Sequence, residues 1–521
     1  MRFERFRTRA AGVVSGLLFS LAFPPREWAL LLPLALVPWL VALARETSRT
    51  RALFSGVLFG IAFWCASIPW IVYVVTRFGG QPLPLGIVSL IILALILCQW
   101  PAAVAWLTVA FAAPGSVRRL AVFPILWLAS EHARSYVYGG FPWNLTGFAL
   151  YRHPIWIQSA SVWGVYGVGF LVTSAAALLA FAVHRRRFLW LLAPAALTLL
   201  AGLGGVLALR KPEAPPQKVL EVALIQPNIS QEARLENGRD AENYDAVFSL
   251  ARRAAAEGAD LIVLPESAFP VYWQGSPLLR RDLTALAQTC RCAVLFNDVD
   301  LEPDGRHYNA ARIVTPDGLV DSTYRKVHLV PFGEYVPLPD VFFFVRQVST
   351  EIGEFSAARD PLLLSAPPLH AGVGVCYEIL YPVLAWKQVR SGSNLLATIS
   401  NDSWYGAAGA QAQHFAGAVL RSVENRRYLL RAAITGISGI VDEKGRILAE
   451  LGENDEGIVR GIAVLFGHRS VWTRWGFAFS GLCDAIAVGV LFVGLVRWRR
   501  QRRGLTADGG SGQPKADSFS S

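Results

Sequence analysis

The chain has 521 residues, of which 53% are hydrophobic and only 17% charged, with a net charge of +11. Such a composition excludes an ordinary soluble enzyme, and much of the chain must lie in lipid. The basic excess is gathered between apolar runs, so it reads as membrane topology and gives no reason to expect nucleic-acid binding.

In chain order, apolar runs long enough to cross a hydrocarbon core of ~30 Å fall near 10–23, 27–45, 52–76, 85–113, 118–134, 156–183 and 188–209, with an eighth near 477–497. The first run has the length of a signal-peptide core, but no persuasive small-residue cleavage site follows it. Basic residues cluster at every second connection: Arg45, Arg49 and Arg51, then Arg118 and Arg119, then Arg185 to Arg187, with further groups at both ends. Both termini are therefore expected in the cytoplasm and the large segment 215–468 outside it. Before residue 215 the acidic residues are Glu4, Glu27, Glu46, Glu131 and Glu213, all in loops or near span ends. A proton-coupled transporter would need ionisable groups at mid-membrane. The expected division is thus a membrane domain at 1–214, an extracytoplasmic domain at 215–468, a last span with its basic end at 469–503, and a low-complexity, disordered tail at 504–521.

The outward segment changes pattern. VLEVALIQPNI, LIVLPES and CAVLFNDV are short apolar runs separated by helical periodicities, which predicts strand-helix-strand units in an α/β sandwich. LIVLPES ends in a carboxylate at the carboxyl edge of a strand, where sites form in open sheets. AGVGVCYEILYP and NLLATISND are further strand candidates, HFAGAVLRSVENRRYLLRAA is expected to be helical throughout, and TGISGIVDEKGRILAEL reads as a hairpin.

Glu266, Lys326 and Cys376 are the residues here that could carry chemistry. Singly, each has a bland alternative: a loop carboxylate, a surface lysine, a buried thiol that packs like a small hydrophobe. Together they supply what a thiol nucleophile requires, namely a base for its proton and a cation for the thiolate and the later oxyanion. A histidine base finds less support, since His307, His328, His370 and His414 lie in dissimilar contexts. Cys290 and Cys292 form a lone CxC with no second pair, so no metal site is expected. The two are read as strand residues on one face, a disulfide between them being the alternative.

LPES around Glu266, YRKVHLVPFGEYVP around Lys326 and VCYEILYP around Cys376 resemble the three signatures of the carbon-nitrogen hydrolase, or nitrilase, superfamily. More narrowly, HLVPFGEYVP, CYEILYP, SNDSWYG and ENRRYLLRAAITGIS, with several spans before the domain and one after it, resemble the apolipoprotein N-acyltransferases. The resemblance implies a polytopic helical membrane domain of about eight spans carrying an extracytoplasmic nitrilase-like αββα sandwich, in a bacterial cytoplasmic membrane. It also implies roles: Cys376 as the acylated nucleophile, Glu266 as general base, and Lys326 as the cation at the tetrahedral intermediate. Glu334, Tyr377 and Glu378 would complete the site, orienting an incoming amine or fixing Lys326. Trp404 would line the pocket or pack a loop. Trp143, in YVYGGFPWNLTG, would sit at interfacial depth on the lipid's access route or belong to an ordinary aromatic belt. The implied reaction is a cofactor-free, ping-pong transfer from a phospholipid to the amine of a diacylglyceryl-modified apolipoprotein. Two rivals are a membrane-tethered amidase acting on a small molecule and a transporter or scaffold with a degenerate outer domain. One departure from the family stands at QPNISQEARLE: Arg234 and Leu235 occupy the place of a frequent Lys-Trp pair, so an aromatic contact to substrate is not expected there.

Overall fold

A computed structural model describes residues 2–212, 214–236, 238–336, 355–406 and 409–508. The amino-terminal part is helical: α1 (Arg2–Ser20), α2 (Leu32–Arg45), α3 (Arg49–Ser67), α4 (Trp70–Arg77), α5 (Leu83–Leu97), α6 (Gln99–Phe111), α7 (Val117–Arg134), α8 (Ala160–Arg185) and α9 (Leu192–Arg210). Among the described residues, five helical stretches are long and apolar enough to cross a membrane, and Ala29–Arg45 is a shorter apolar one. The run expected as one span at 52–76 is broken at Ile68 and Pro69, where α3 hands over to α4. Proline lacks the N–H and its ring clashes with the preceding turn, which favours a break at this point. The core of this part is aromatic, with Trp39 stacked on Phe59 and Phe19, Phe63 and Trp127 packed edge-on around them.

The second part is an αββα sandwich. One sheet has the order β13-β1-β2-β3-β4-β5, with β6 also paired to β4; the other has the order β12-β11-β10-β9-β8-β7. In chain order the strands are β1 (Lys218–Gln226), β2 (Leu261–Val263), β3 (Ala293–Leu301), β4 (His307–Thr315), β5 (Gly318–Leu319), β6 (Tyr324–Arg325), β7 (Leu363–Ala366), β8 (Leu369–Val375), β9 (Leu395–Ser400), β10 (Leu429–Ala433), β11 (Ser438–Val441), β12 (Ile447–Leu451) and β13 (Gly457–Leu465). The first sheet is covered by α11 (Asp240–Ala256) and α12 (Pro277–Cys290), with the short α10 (Gln231–Leu235) beside it. The second is covered by α13 (Pro382–Arg390) and α14 (Ala410–Asn425). A last helix, α15 (Ala478–Asp508), follows. It runs past residue 503, so the tail expected from 504 begins no earlier than 509; residues 509–521 lie outside the described residues.

Two sequence expectations are corrected. HFAGAVLRSVENRRYLLRAA is not one helix: α14 ends at Asn425, Arg426 takes φ 51° and β10 begins at Leu429. β10 lies between a parallel and an antiparallel neighbour and is buried on both faces. A strand buried on both faces loses its polar alternation and resembles a helix segment. Nor are Cys290 and Cys292 strand residues on one face: Cys290 closes α12, Cys292 precedes β3, and the two are disulfide-bonded. Arg291 between them takes φ 51°, the reversal that brings their side chains together.

The two parts are joined through α14, which is buried along its whole length. Glu424 pairs with Arg421 and accepts from the Val165 N–H (2.7 Å), at the point where α8 kinks. That kink is at Gly164, with φ 69°, and a Cβ there would lie 2.6 Å from the Trp472 ring, so the position requires glycine.

Candidate active site

Glu266, Lys326 and Cys376 come together where strands of the two facing sheets end. After β2 the Leu264 N–H still donates to the Leu295 carbonyl (2.9 Å), Pro265 then stops the ladder because proline offers no donor, and Glu266 projects beyond the edge. Its Oε1 accepts from Asn309 Nδ2 (2.9 Å) and its Oε2 from the Asn401 N–H (2.8 Å), which ties the carboxyl end of β2 to that of β9 in the other sheet. Lys326 follows β6 and is 1% exposed; its Nζ donates to Glu334 Oε1 (2.8 Å) and lies 3.9 Å from Glu266 Oε1. Burial acts to lower the Lys326 ammonium, but the Glu334 and Glu266 carboxylates outweigh it and hold the group well above its ordinary value.

Cys376 stands between β8 and a short 3₁₀ turn, with φ 54°. Ser267, next to Glu266, and Phe332, two before Glu334, take φ of 53° and 63°. Left-handed backbone at non-glycine residues stores roughly 1–3 kcal/mol each and gathers at sites where geometry is imposed by the surroundings. The Cys376 thiol is pushed well up, first by burial and then by the Glu266 charge, with Lys326 acting in the opposite direction. At rest it is therefore a thiol, and a base must take its proton when it reacts.

Glu334 and Glu378 do different work. Glu334 touches Lys326 directly and shares the Asn309 amide with Glu266 (3.0 Å to Glu334 Oε1). Glu378 makes no ion pair with Lys326; it accepts from the Val327 and His328 N–H groups, the Tyr324 hydroxyl and the Val375 N–H, at 2.7 to 2.9 Å. It thereby ties the Lys326 segment to the turn that carries Cys376. Tyr377 donates to the Gly140 carbonyl (3.2 Å) and accepts from Tyr381, so a loop of the helical part reaches the residue beside Cys376.

The two tryptophans are placed differently from one another. Trp404 packs edge-on against Phe78 at the end of α4 and is partly exposed. Trp143 is 1% exposed, packed between Tyr377, Tyr405 and Trp70. It therefore does not present its ring at the protein surface as a belt tryptophan would, and it lies beside the turn that carries Cys376. The exposed members of its loop are Tyr136, Val137 and Tyr138.

Sequence reasoning missed Asn309, Asn401 and His414. Asn309, within β4, and Asn401, directly after β9, are amides with no spacing signature. His414 Nε2 lies 2.9 Å from the Cys376 carbonyl oxygen and its Nδ1 lies 3.0 Å from Asp402 Oδ1, while Arg431 holds Asp402 Oδ2. Cys376, Asp402 and His414 are close enough to suggest a metal site. Both ring nitrogens are already engaged, however, and a guanidinium occupies the carboxylate, so the cluster is a hydrogen-bonded brace on the turn that carries Cys376.

Two domain families match the chain: the apolipoprotein N-acyltransferase N-terminal domain over residues 15–178, and carbon-nitrogen hydrolase over residues 221–463. An apolipoprotein N-acyltransferase of Geobacter metallireducens is 34% identical over 504 residues, covering 94% of this chain and 95% of that one. The chain belongs to the apolipoprotein N-acyltransferase family. Another N-acyltransferase, from Vibrio cholerae, is 28% identical and covers 96% of this chain and 98% of its own. Nit3 of Saccharomyces cerevisiae, a solved nitrilase-superfamily structure, is 22% identical with a TM-score of 0.37, covering 49% of this chain and 93% of its own length.

Proposed function

We propose that the protein transfers an acyl chain from a glycerophospholipid to the N-terminal amine of diacylglyceryl-modified apolipoproteins, through a thioester on Cys376. The observation that carries this reading is the buried cluster itself. A thiol on a strained turn faces a Glu266–Lys326–Glu334 array in which each carboxylate is held by named donors. Glu266 takes the proton as the Cys376 sulfur attacks the ester carbonyl. Lys326 Nζ, fixed by Glu334, stabilises the oxyanion. Collapse breaks the bond to the glycerol oxygen, which receives the proton from Glu266, and lysophospholipid leaves. The acceptor amine then attacks the thioester, Glu266 takes its proton, and the thiol is regenerated as the amide forms.

The membrane part acts as a platform that holds the nucleophile at headgroup depth. Its division at 1–214, 215–468 and 469–503, the eight spans, the cytoplasmic termini and the extracytoplasmic catalytic domain belong to the same proposal. Support comes from the alternation of basic connections and from the direct bonding of the Tyr377 hydroxyl to the Gly140 carbonyl. Intact mass of the protein after incubation with phospholipid vesicles and no acceptor tests the donor half-reaction. A hydroxylamine-labile acyl adduct is expected on wild type and not on Cys376→Ala. Lipid consumed without an adduct would replace the transferase by a hydrolase.

A further inference from the structure

The segment that departs from the family at Arg234 lies between the membrane part and the catalytic base. Glu232 of α10 is paired with Arg77 at the end of α4 (2.8 Å), which anchors the short helix to the platform. Gln231, one residue earlier, is buried and accepts from Asn401 Nδ2 (3.2 Å) and Ser403 Oγ (3.1 Å); the Asn401 backbone in turn holds Glu266. Arg234 is three residues after Gln231, hence on the same helical face.

Its guanidinium differs from the other arginines around it. Nη1 is buried and has no hydrogen-bond partner among the described residues, and no carboxylate lies within ion-pair distance of it there. The group feels the Glu266 carboxylate electrostatically without touching it. A buried, unpaired guanidinium N–H is unfavourable by itself, and an anion entering the site would relieve it. The planar fork matches the two free oxygens of a phosphodiester. In a glycerophospholipid that phosphate and the acyl esters share one glycerol, so an ester brought to Cys376 carries its phosphate along at short range.

We propose that Arg234 receives the phosphodiester of the acyl donor and makes the site select a phosphate-bearing ester over a neutral one. The inference rests on the acyl-donor reading above, and the test separates the two. Full-length Cys376→Ala protein, which cannot turn over, is titrated in matched detergent micelles with dioleoylphosphatidylglycerol or with dioleoylglycerol, which has the same esters and no phosphate. Arg234→Gln is expected to weaken the phosphate-bearing lipid at least about tenfold and to leave the neutral lipid within about twofold, with Arg234→Lys between. Inorganic phosphate alone is expected to displace neither lipid. Equal weakening of both lipids, an unchanged preference in Arg234→Gln, or a site that takes inorganic phosphate and does not distinguish the lipids overturns the proposal. Wild-type protein that forms no adduct from either lipid would instead remove the acyl-donor reading, and the difference in affinity would still decide the role of Arg234.

Discussion

Asn309 is held at both ends of its amide beside Glu266. Its amide nitrogen serves Glu266 and Glu334 at once, and its oxygen accepts from Asn297 Nδ2 (2.7 Å), which fixes the orientation of the amide. Asn309→Asp would set a third carboxylate against two. Acyl-enzyme formation, followed by intact mass, is expected to fall roughly 100-fold with the fold retained; an unchanged rate would show that the amide does not hold the base. His328 offers a pH test at the same scale. Burial, with the Lys326 charge adding to it, pushes its imidazole down to about 4 from an ordinary 6.5. Between those values the unfolded chain binds more protons than the folded one, so stability is full above about 6.5 and is lost as the pH falls through about 4. The apparent melting temperature in detergent is expected to drop more steeply across that window for wild type than for His328→Asn. Identical acid profiles would count against a buried neutral imidazole.

Among the elements, α14 does most to couple the two parts. Gln413 on its first turns accepts from the indole N–H groups of Trp70 and Trp143 and donates to the carbonyls of Pro24 (2.9 Å) and Ser67 (2.7 Å). The next residue, His414, holds the Cys376 carbonyl. Removing Gln413 would strand four buried polar groups, each worth about 1–3 kcal/mol when unsatisfied. Gln413→Ala is therefore expected to lower the melting temperature and slow acylation of Cys376 together, and Gln413→Glu, which keeps the acceptor oxygens, to fall between it and wild type. A variant that melts earlier but acylates at the normal rate would confine Gln413 to docking. The helix looks like an ordinary amphipathic one in sequence because its partners on the platform are hundreds of residues away.

At the scale of the whole molecule, the helical part and the sandwich share polar and aromatic contacts. Arg426 reaches Gln158 (2.9 Å) and Ser161 (3.0 Å), Arg421 lies over the Phe148 ring, and Tyr377 is bonded to Gly140. Cut out as 215–468, the αββα part would expose Arg421, Arg426 and Tyr377 at once. Expressed alone, that fragment is expected to aggregate or to require detergent on size-exclusion chromatography. A monodisperse soluble fragment that still acylates Cys376 from micellar lipid would reduce the platform to a tether.

What the sequence determined by itself was local or repetitive. Apolar run lengths marked the helices, basic connections gave the expected topology, and the ends of LIVLPES and VGVCYE pointed to Glu266 and Cys376, because a strand that stops leaves its next side chain at an edge. It also isolated Arg234, though only as a departure from a pattern. Tertiary structure alone decided the rest. Trp143 proved to be buried beside the turn that carries Cys376 and Glu378 to be a brace between backbone segments. The strand β10 emerged from what reads as helix, and Asn309, Asn401, Gln413 and His414 acquired their functions. The reason is common to all of them: a hydrogen-bonding side chain takes its role from its partner, and here the partners come from other strands, another sheet or the membrane part, at separations no local pattern records.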